Sequence, residues 1–145
     1  MTGRAAPEVA HLVKRLQHAH HRALSAALAD LGVSPVQWDT LCHLDRNPGA
    51  SLRDLARLTL QTDQATGSLA SRMVDRGLLV RVPGPGRVVR HRLTELGERL
   101  RREGEGRAGR VCAETFAPLG RARLDELGDL LEALLAARAQ SPDAT

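Results

Sequence analysis

Side chains that can read DNA bases are concentrated in residues 62–68 of this sequence. The Gln64 amide can pair with adenine, and the methyl groups of Ala65 and Thr66 can contact the methyl group of thymine. Hydroxyls and arginines around this segment, and further arginines in a β-rich run beyond it, can bind phosphates or enter a narrow minor groove. We therefore expect contacts with double-stranded DNA from Ser51, Arg53, Thr62, Asp63, Gln64, Ala65, Thr66, Ser68, Ser71, Arg72, Arg87, Arg90 and Arg92.

The first helical stretch contains a second group of chemically capable side chains. His11, Arg15 and His18 lie on one helix face at spacings i, i+4 and i+7, with His21 nearby. An arginine can bind a carboxylate through two hydrogen bonds, and imidazoles beside it favour the same anion. The pattern predicts a site for an anionic small molecule, with a solvated charged face as the alternative interpretation. The predicted ligand-binding residues are His11, Arg15, His18, His21 and Trp38.

Metal, redox and enzymatic chemistry find little support in the sequence. His18 with His21, or His43 with Cys42, would supply only two metal ligands, so we expect neither a metal nor a cofactor. Cys42 lies on a mostly apolar helix face and is interpreted as a small buried hydrophobe rather than a redox switch. The GxGxxG match at residues 104–109 follows a charged helix instead of a buried strand, which argues against a dinucleotide site. Because GxSxG, HExxH and P-loop motifs are absent, we expect no enzymatic activity.

The elements that must position the DNA-reading residues are a pair of short helices followed by a hairpin. Ser51 is expected to cap the first helix and Thr62 the second, which ends at Gly77. Two strand-like runs, residues 78–82 and 87–93, are joined by the turn sequence PGPG. Two helices and a basic hairpin in this order form the layout of a winged helix-turn-helix. The side chains predicted to face the core from the second helix are Ala65, Leu69, Met73 and Val74.

Amphipathic helices flank this core on both sides. The first helix runs to Gly32, after which residues 34–37 have the pattern of a capping box. A long helix starts at Thr94, and a leucine-rich helix follows a break at residues 118–120. Neither end region can bury its apolar stripe alone, so we expect a homodimer whose first and last helices interlock. Close packing is expected to offset the helix-weakening effect of Gly97, Gly104, Gly106 and Gly109.

The expected architecture is therefore mainly α with a small β-hairpin wing, in the order α-α-α-α-β-β-α-α. Residues 34–93 would form the winged helix-turn-helix DNA-binding domain, and residues 1–33 and 94–145 a helical dimerisation region. The chain has 145 residues, of which 42% are hydrophobic and 26% charged, and its net charge of +4 suits a polyanionic partner. We expect no membrane contact and a cytoplasmic location, because no apolar run approaches a bilayer span and the N-terminal sequence lacks the pattern of a signal peptide.

Four segments of the sequence resemble the MarR family of bacterial transcriptional regulators. They read SPVQWDTLCHL, NPGASLRDLARL, TDQATGSLASRMVDRGLLVR and RHRLTELGERL, and they occur in family order between Ser34 and Leu100. The resemblance implies a triangular homodimer that binds palindromic operators, usually as a repressor released by a small ligand or oxidant. It also implies an effector pocket near Arg15 and Trp38. The wing departs from the family pattern: it is about two residues shorter, and Pro85 replaces the acid that usually precedes the arginine corresponding to Arg87.

These observations predict a sequence-specific DNA-binding regulator, a homodimeric repressor of adjacent genes relieved by a small anionic ligand such as an aromatic carboxylate. Its DNA partner would be a pseudo-palindromic operator, with two recognition helices about one helical turn apart. Base preference would come mainly from the recognition helix, and the wing would add little beyond charge. The alternatives are a regulator of the same fold governed by cysteine oxidation or metal, and a dimerising interaction module without operator binding.

Overall fold

The computed structural model describes residues 3–141 and contains six α-helices and one two-stranded antiparallel sheet in this part of the chain. The predicted order α-α-α-α-β-β-α-α is confirmed. None of the helices formed by residues 3–141 is both long and apolar enough to cross a lipid bilayer. The elements are α1 (Ala6–Leu28), α2 (Pro35–Arg46), α3 (Leu52–Leu58), α4 (Asp63–Asp75), β1 (Leu79–Pro83), β2 (Val89–Leu93), α5 (Glu95–Phe116) and α6 (Gly120–Ala139), with 3-10 turns at Ala29–Leu31 and Ala117–Leu119.

Helix starts follow the capping residues read from the sequence. The Ser34 hydroxyl accepts from the Gln37 amide at 3.3 Å, and the Gln37 side chain accepts from the Ser34 amide at 2.9 Å. The Thr62 hydroxyl accepts from the Ala65 amide at 3.1 Å. Gly32 ends the first helical region at φ 71°, a left-handed conformation that costs glycine least. These local hydrogen bonds fix the lengths of the helices that carry the candidate sites.

The hydrophobic core joins the two short helices to their neighbours. Leu28, Leu41, Leu55, Met73 and Leu78 are all at most 1% exposed and belong to one cluster. Because α3 and α4 pack on this cluster from one side, their other faces remain on the surface. The core therefore holds α3 and α4 together.

The hairpin is shorter than predicted at the start of each strand. Leu78 precedes β1, because its amide donates to the Met73 carbonyl and its carbonyl accepts from Thr94, so both groups bond outside the β1–β2 ladder. The register pairs Arg81 with His91 and Pro83 with Val89. Residues 84–88 form the turn, in which the Gly84 amide donates to the Val88 carbonyl at 2.8 Å.

Helix α5 is continuous despite its glycines. A Cβ atom at Gly104 would lie 2.5 Å from Cδ1 of Trp38, and one at Gly97 would overlap the carbonyl oxygen of Leu78. At Gly106 and Gly109 a Cβ would have open space. Close packing within the described chain therefore accounts for Gly97 and Gly104, and at Gly106 and Gly109 close packing stays a prediction.

The chain divides into two compact units, the first ending at Val111 and the second beginning at Cys112. The first contains α1 to β2 and most of α5. The second contains α6, none of whose residues is buried. Residues 1, 2 and 142–145 of the predicted dimerisation region lie outside the described residues.

Candidate nucleic-acid interface and effector cavities

Helix α4 presents the polar face expected of a recognition helix. Asp63, Gln64, Ala65 and Ser68 are exposed, and Thr62 caps the helix just before them. An acid in the first turn, here Asp63, complements the helix dipole. The first two turns therefore offer one amide, one methyl and one hydroxyl on the same surface.

Thr66 does not belong to this face. It is 1% exposed, and its hydroxyl donates to the Thr62 carbonyl at 2.9 Å. The inward stripe of α4 begins at Thr66 and continues through Leu69 and Met73, with Ala65 on the outside. Assigning Ala65 to the core and Thr66 to a base contact was wrong, because satisfying its hydroxyl within the helix lets a threonine occupy a core position.

Ser71 and Arg72 continue the exposed face toward the C-terminal half of α4. The Ser71 hydroxyl accepts from Nη2 of Arg81 at 3.4 Å, so a side chain of β1 reaches α4. Sequence reasoning missed Arg81. The signal was a basic residue in the first strand of a hairpin that follows the helix directly.

Arginines of the hairpin occupy different environments. Arg87 lies in the turn and is exposed, and within residues 3–141 no carboxylate pairs with it. Arg92 is also exposed, on β2. Arg90 is half-buried: its side chain lies against Gly84, and its Nη1 is buried without a hydrogen-bond partner within the described chain. The wing thus offers exposed charge at Arg87 and Arg92, while the side chain of Arg90 packs against the turn.

The N-terminus of α3 is occupied by its own capping box. The Ser51 hydroxyl accepts from the Asp54 amide at 3.1 Å, and the Asp54 carboxylate accepts from the Ser51 amide at 2.9 Å. These hydrogen bonds and the Arg57 guanidinium lower the pKa of Asp54, which keeps a negative charge at this position. A phosphate clamp by Ser51 is therefore disfavoured, and exposed Arg53 is the more available contact.

The five predicted ligand-binding residues line two separate depressions. His11, Arg15 and His18 come together on α1, beside Leu12 and Leu16, around a shallow cavity of about 610 Å³. This cavity combines a guanidinium and two imidazoles with apolar surface, which matches the chemistry of an amphipathic anion.

His21 and Trp38 line a second cavity of about 310 Å³. Its other walls include His20, Asp39 and the turn between α3 and α4, where Leu60 and Gln61 lie. Leu60 is unusual, because it adopts φ 57° and is 90% exposed. A leucine in the left-handed region is strained, and strain of this kind is often found at functional sites. Sequence reasoning missed this wall because it forms only when the helix pair folds.

Trp38 is partly buried and also packs against the hydrophobic core. Its indole Nε1 donates to the Arg101 carbonyl at 3.0 Å, and the ring packs where Gly104 leaves space. The Arg101 guanidinium bonds Glu98 on α5 at 2.6 Å and lies 3.7 Å from Asp45 on α2. Trp38 is therefore held at a fixed position at the edge of the second cavity.

Cys42 fits the interpretation of a buried hydrophobe. It is 8% exposed, and burial raises the pKa of its thiol to about 11, so the reactive thiolate is disfavoured. Cys112 is exposed. Within residues 3–141, His, Cys, Asp and Glu side chains form no group of three or more that could hold a metal ion.

Comparisons with known proteins find similar sequences and structures. The model of the MarR family matches residues 31–87. The PcaV transcriptional regulator of Streptomyces coelicolor is 28% identical over 91% of this chain and 98% of its own, with a TM-score of 0.76. A MarR family protein of Mycobacterium tuberculosis, solved with salicylic acid, is 27% identical over 92% and 99% of the two chains, with a TM-score of 0.71. BpsR of Bordetella bronchiseptica, whose DNA binding is regulated by 6-hydroxynicotinic acid, is 26% identical over 88% and 98%, with a TM-score of 0.80.

A search of curated protein sequences gives no match. The family match covers the segment from the end of the first helical region to the hairpin turn, and the structural likeness extends over nearly the whole length. The winged helix-turn-helix with its flanking helices is similar in these ways to the structures of MarR family regulators.

Proposed function

We propose that this protein is a homodimeric, sequence-specific transcriptional repressor of adjacent genes, released from DNA by a small anionic ligand. The observation that carries the proposal is the exposed face of α4 beside an arginine-bearing hairpin. Neither feature alone would distinguish a DNA-reading surface from a solvated one. Their proximity matches the way a winged helix-turn-helix occupies neighbouring grooves.

In this proposal the first two turns of α4 enter the major groove. Gln64 would pair with adenine, and Ala65 would contact a thymine methyl. Ser68, Ser71 and Arg72 would meet phosphates, as would Arg53 and Arg92. Arg87 at the hairpin turn would approach the minor groove, where a narrow groove concentrates negative potential.

The second copy is proposed from apolar surface on the flanking helices. On α1, Val9 and Val13 are 45% and 54% exposed. On α6, Leu130, Leu134 and Leu135 are between 57% and 70% exposed. Rows of exposed aliphatic side chains on soluble proteins usually mark an interface. Residues 1–33 and 94–145 would therefore dimerise, and residues 34–93 would bind DNA.

The effector is proposed to be an aromatic or similarly apolar carboxylate. The cavity of about 610 Å³ on α1 offers Arg15 for the carboxylate, His11 and His18 beside it, and Leu12 and Leu16 for apolar atoms. Relatives solved with salicylic acid or regulated by 6-hydroxynicotinic acid support this class of ligand. Ligand that binds the DNA-free state more tightly would weaken operator binding, and operator would weaken ligand binding by the same factor.

The DNA-binding proposal is tested by selecting sequences from a random duplex library and measuring affinity by fluorescence anisotropy. We expect dissociation constants of about 10⁻⁸ M or below at physiological salt, weakening steeply as salt rises. Gln64→Ala should relax preference at one base position and cost about 1–3 kcal/mol there. Arg87→Ala should weaken binding to all DNA sequences by a similar factor. A dimer that binds no duplex would favour the alternative of an interaction module.

The ligand proposal is tested by thermal shift with benzoate-type carboxylates. Arg15→Ala should lose the stabilisation seen for the unaltered protein. The matched control is Arg22→Ala, which removes an exposed arginine from the same helix outside the lining of both cavities. Equal stabilisation of all three proteins would exclude Arg15 from the site.

A further inference from the structure

Arg81 lies at the junction of the recognition helix and the wing. It occupies the middle of β1, opposite His91 in the strand register. Its Nη2 is 3.4 Å from the Ser71 hydroxyl on α4, so the side chain spans from the hairpin to the helix. Arg81 is exposed, and the hydrogen bond to Ser71 is on the surface. A guanidinium is therefore displayed between the two elements proposed to enter DNA grooves.

The charge of Arg81 is not neutralised by the protein. Within residues 3–141 no carboxylate pairs with it, in contrast to Arg57, which pairs with Asp54 at 2.9 Å. The buried imidazole of His91 faces it, and burial together with the Arg81 charge lowers the pKa of His91. At neutral pH the imidazole is uncharged, so the guanidinium remains the dominant charge of this junction. An uncompensated, partly oriented cation of this kind suits an anion supplied from outside.

DNA geometry specifies which anion would reach this position. A single sugar–phosphate strand separates each major groove from the neighbouring minor groove. When α4 occupies the major groove and the hairpin turn occupies the minor groove, that strand must cross the junction between them. We infer that Arg81, oriented by Ser71, binds a phosphate of the DNA strand that separates the two grooves. The inference rests on the proposed function and adds a contact residue to it.

This contact would fix register without reading sequence. A phosphate bond from β1 sets how far α4 and the hairpin turn can advance into their grooves together. The one hydrogen bond to Ser71 leaves other guanidinium donors for phosphate oxygens. Arg81 would therefore contribute to affinity for every duplex, and Gln64 to the choice among them.

The test compares Arg81→Gln with the unaltered protein by anisotropy on a selected operator and a scrambled duplex, from about 50 to 200 mM salt. One lost phosphate contact should lower the slope of log affinity against log salt by about 0.9 and reduce both affinities roughly five-fold at 0.15 M salt. Arg81→Lys should retain most of the salt dependence of binding, because lysine keeps the positive charge. The matched control Arg110→Ala, which removes an exposed arginine of α5, should leave the slope unchanged.

A methylphosphonate scan of the operator gives a second, independent measurement. Neutralising the one phosphate that contacts Arg81 should weaken binding of the unaltered protein and have no further effect on Arg81→Gln. If Arg81→Gln does not fold, the same comparison is made with Arg81→Ala, which should likewise show no further effect, whereas Arg81→Lys should keep most of the penalty.

The possible failures are distinguishable. An unchanged salt slope in Arg81→Gln, or a methylphosphonate penalty that persists in Arg81→Gln, overturns this inference and leaves the proposed function standing. If Arg81→Gln loses thermal stability but keeps the salt slope of the unaltered protein, Arg81 has a structural role instead. An unaltered protein that binds no duplex overturns the proposed function and this inference with it.

Discussion

Replacing Gly104 by alanine should destabilise the protein, although alanine is the better helix former. A Cβ at this position would lie 2.5 Å from Cδ1 of Trp38, far inside van der Waals contact. The indole is anchored by its 3.0 Å hydrogen bond to the Arg101 carbonyl, so it cannot retreat without breaking that bond. Alanine therefore adds volume to a position whose neighbour is fixed.

The expected magnitude combines three effects. Overpacking costs about 1–3 kcal/mol, and the lost hydrogen bond costs about 0.5–1.5 kcal/mol. The gain in helix propensity returns about 0.5–1 kcal/mol. The net loss in the free energy of unfolding is therefore about 2 kcal/mol. With a urea dependence of roughly 2 kcal/mol/M, the unfolding midpoint should fall by about 1 M.

Gly106→Ala provides the matched control, because a Cβ there has open space on the same helix. It should raise the free energy of unfolding by about 0.5–1 kcal/mol. Unfolding is followed by circular dichroism at fixed protein concentration, and by the fluorescence of Trp38, the only tryptophan. Gly104→Ala should also shift the tryptophan emission of the folded state. A Gly104→Ala protein as stable as Gly106→Ala, with unchanged emission, would refute the packing argument.

Three further predictions concern the helix cap, the strained turn and the buried imidazole. Ser34→Ala should lower the free energy of unfolding by about 1 kcal/mol in urea titrations, because it removes the hydroxyl that accepts from the Gln37 amide. Leu60→Gly should raise it by about 0.5–1 kcal/mol, because relief of the left-handed strain exceeds the entropy cost of glycine, whereas Leu60→Ala should give no such gain. The pKa of His91 in the folded protein lies below its usual 6.5, so the unfolded chain binds the proton more readily. The free energy of unfolding should therefore fall as the pH drops from about 6.5 through the lower folded pKa. Thermal melts across this pH range should show a smaller decline for His91→Leu, and an identical decline would exclude His91 as the cause.

Local chemistry allowed the helix boundaries to be predicted from sequence. Ser34 and Thr62 cap their helices through hydrogen bonds to residues three positions away, so neighbouring residues contain the whole signal. The inward face of α4 was predicted wrongly at its first turn. The Thr66 hydroxyl donates a hydrogen bond to the Thr62 carbonyl, and because this bond satisfies the hydroxyl, Thr66 can be buried like an aliphatic residue. The polarity of the Thr66 side chain alone could not show that it is buried.

The candidate sites were predictable only in part, because their walls come from distant segments. His11, Arg15 and His18 lie on one helix, so their spacing predicted that they would meet. His21 and Trp38 instead line a cavity closed by Leu60, and that wall depends on how the helix pair folds. Arg81 was missed for the same reason, since its hydrogen bond to Ser71 connects a strand to a helix.

The exposed valines of α1 and leucines of α6 would make the stability of this protein depend on its concentration in the cell. In the dimer that we propose, a second copy covers those side chains, and part of the folding free energy then depends on abundance. Each tenfold dilution would cost the dimer about 1.4 kcal/mol of stability against its separated, unfolded chains. Substitutions such as Leu134→Glu would then act as if the gene were expressed at a lower level, reducing operator occupancy without altering any residue that contacts DNA.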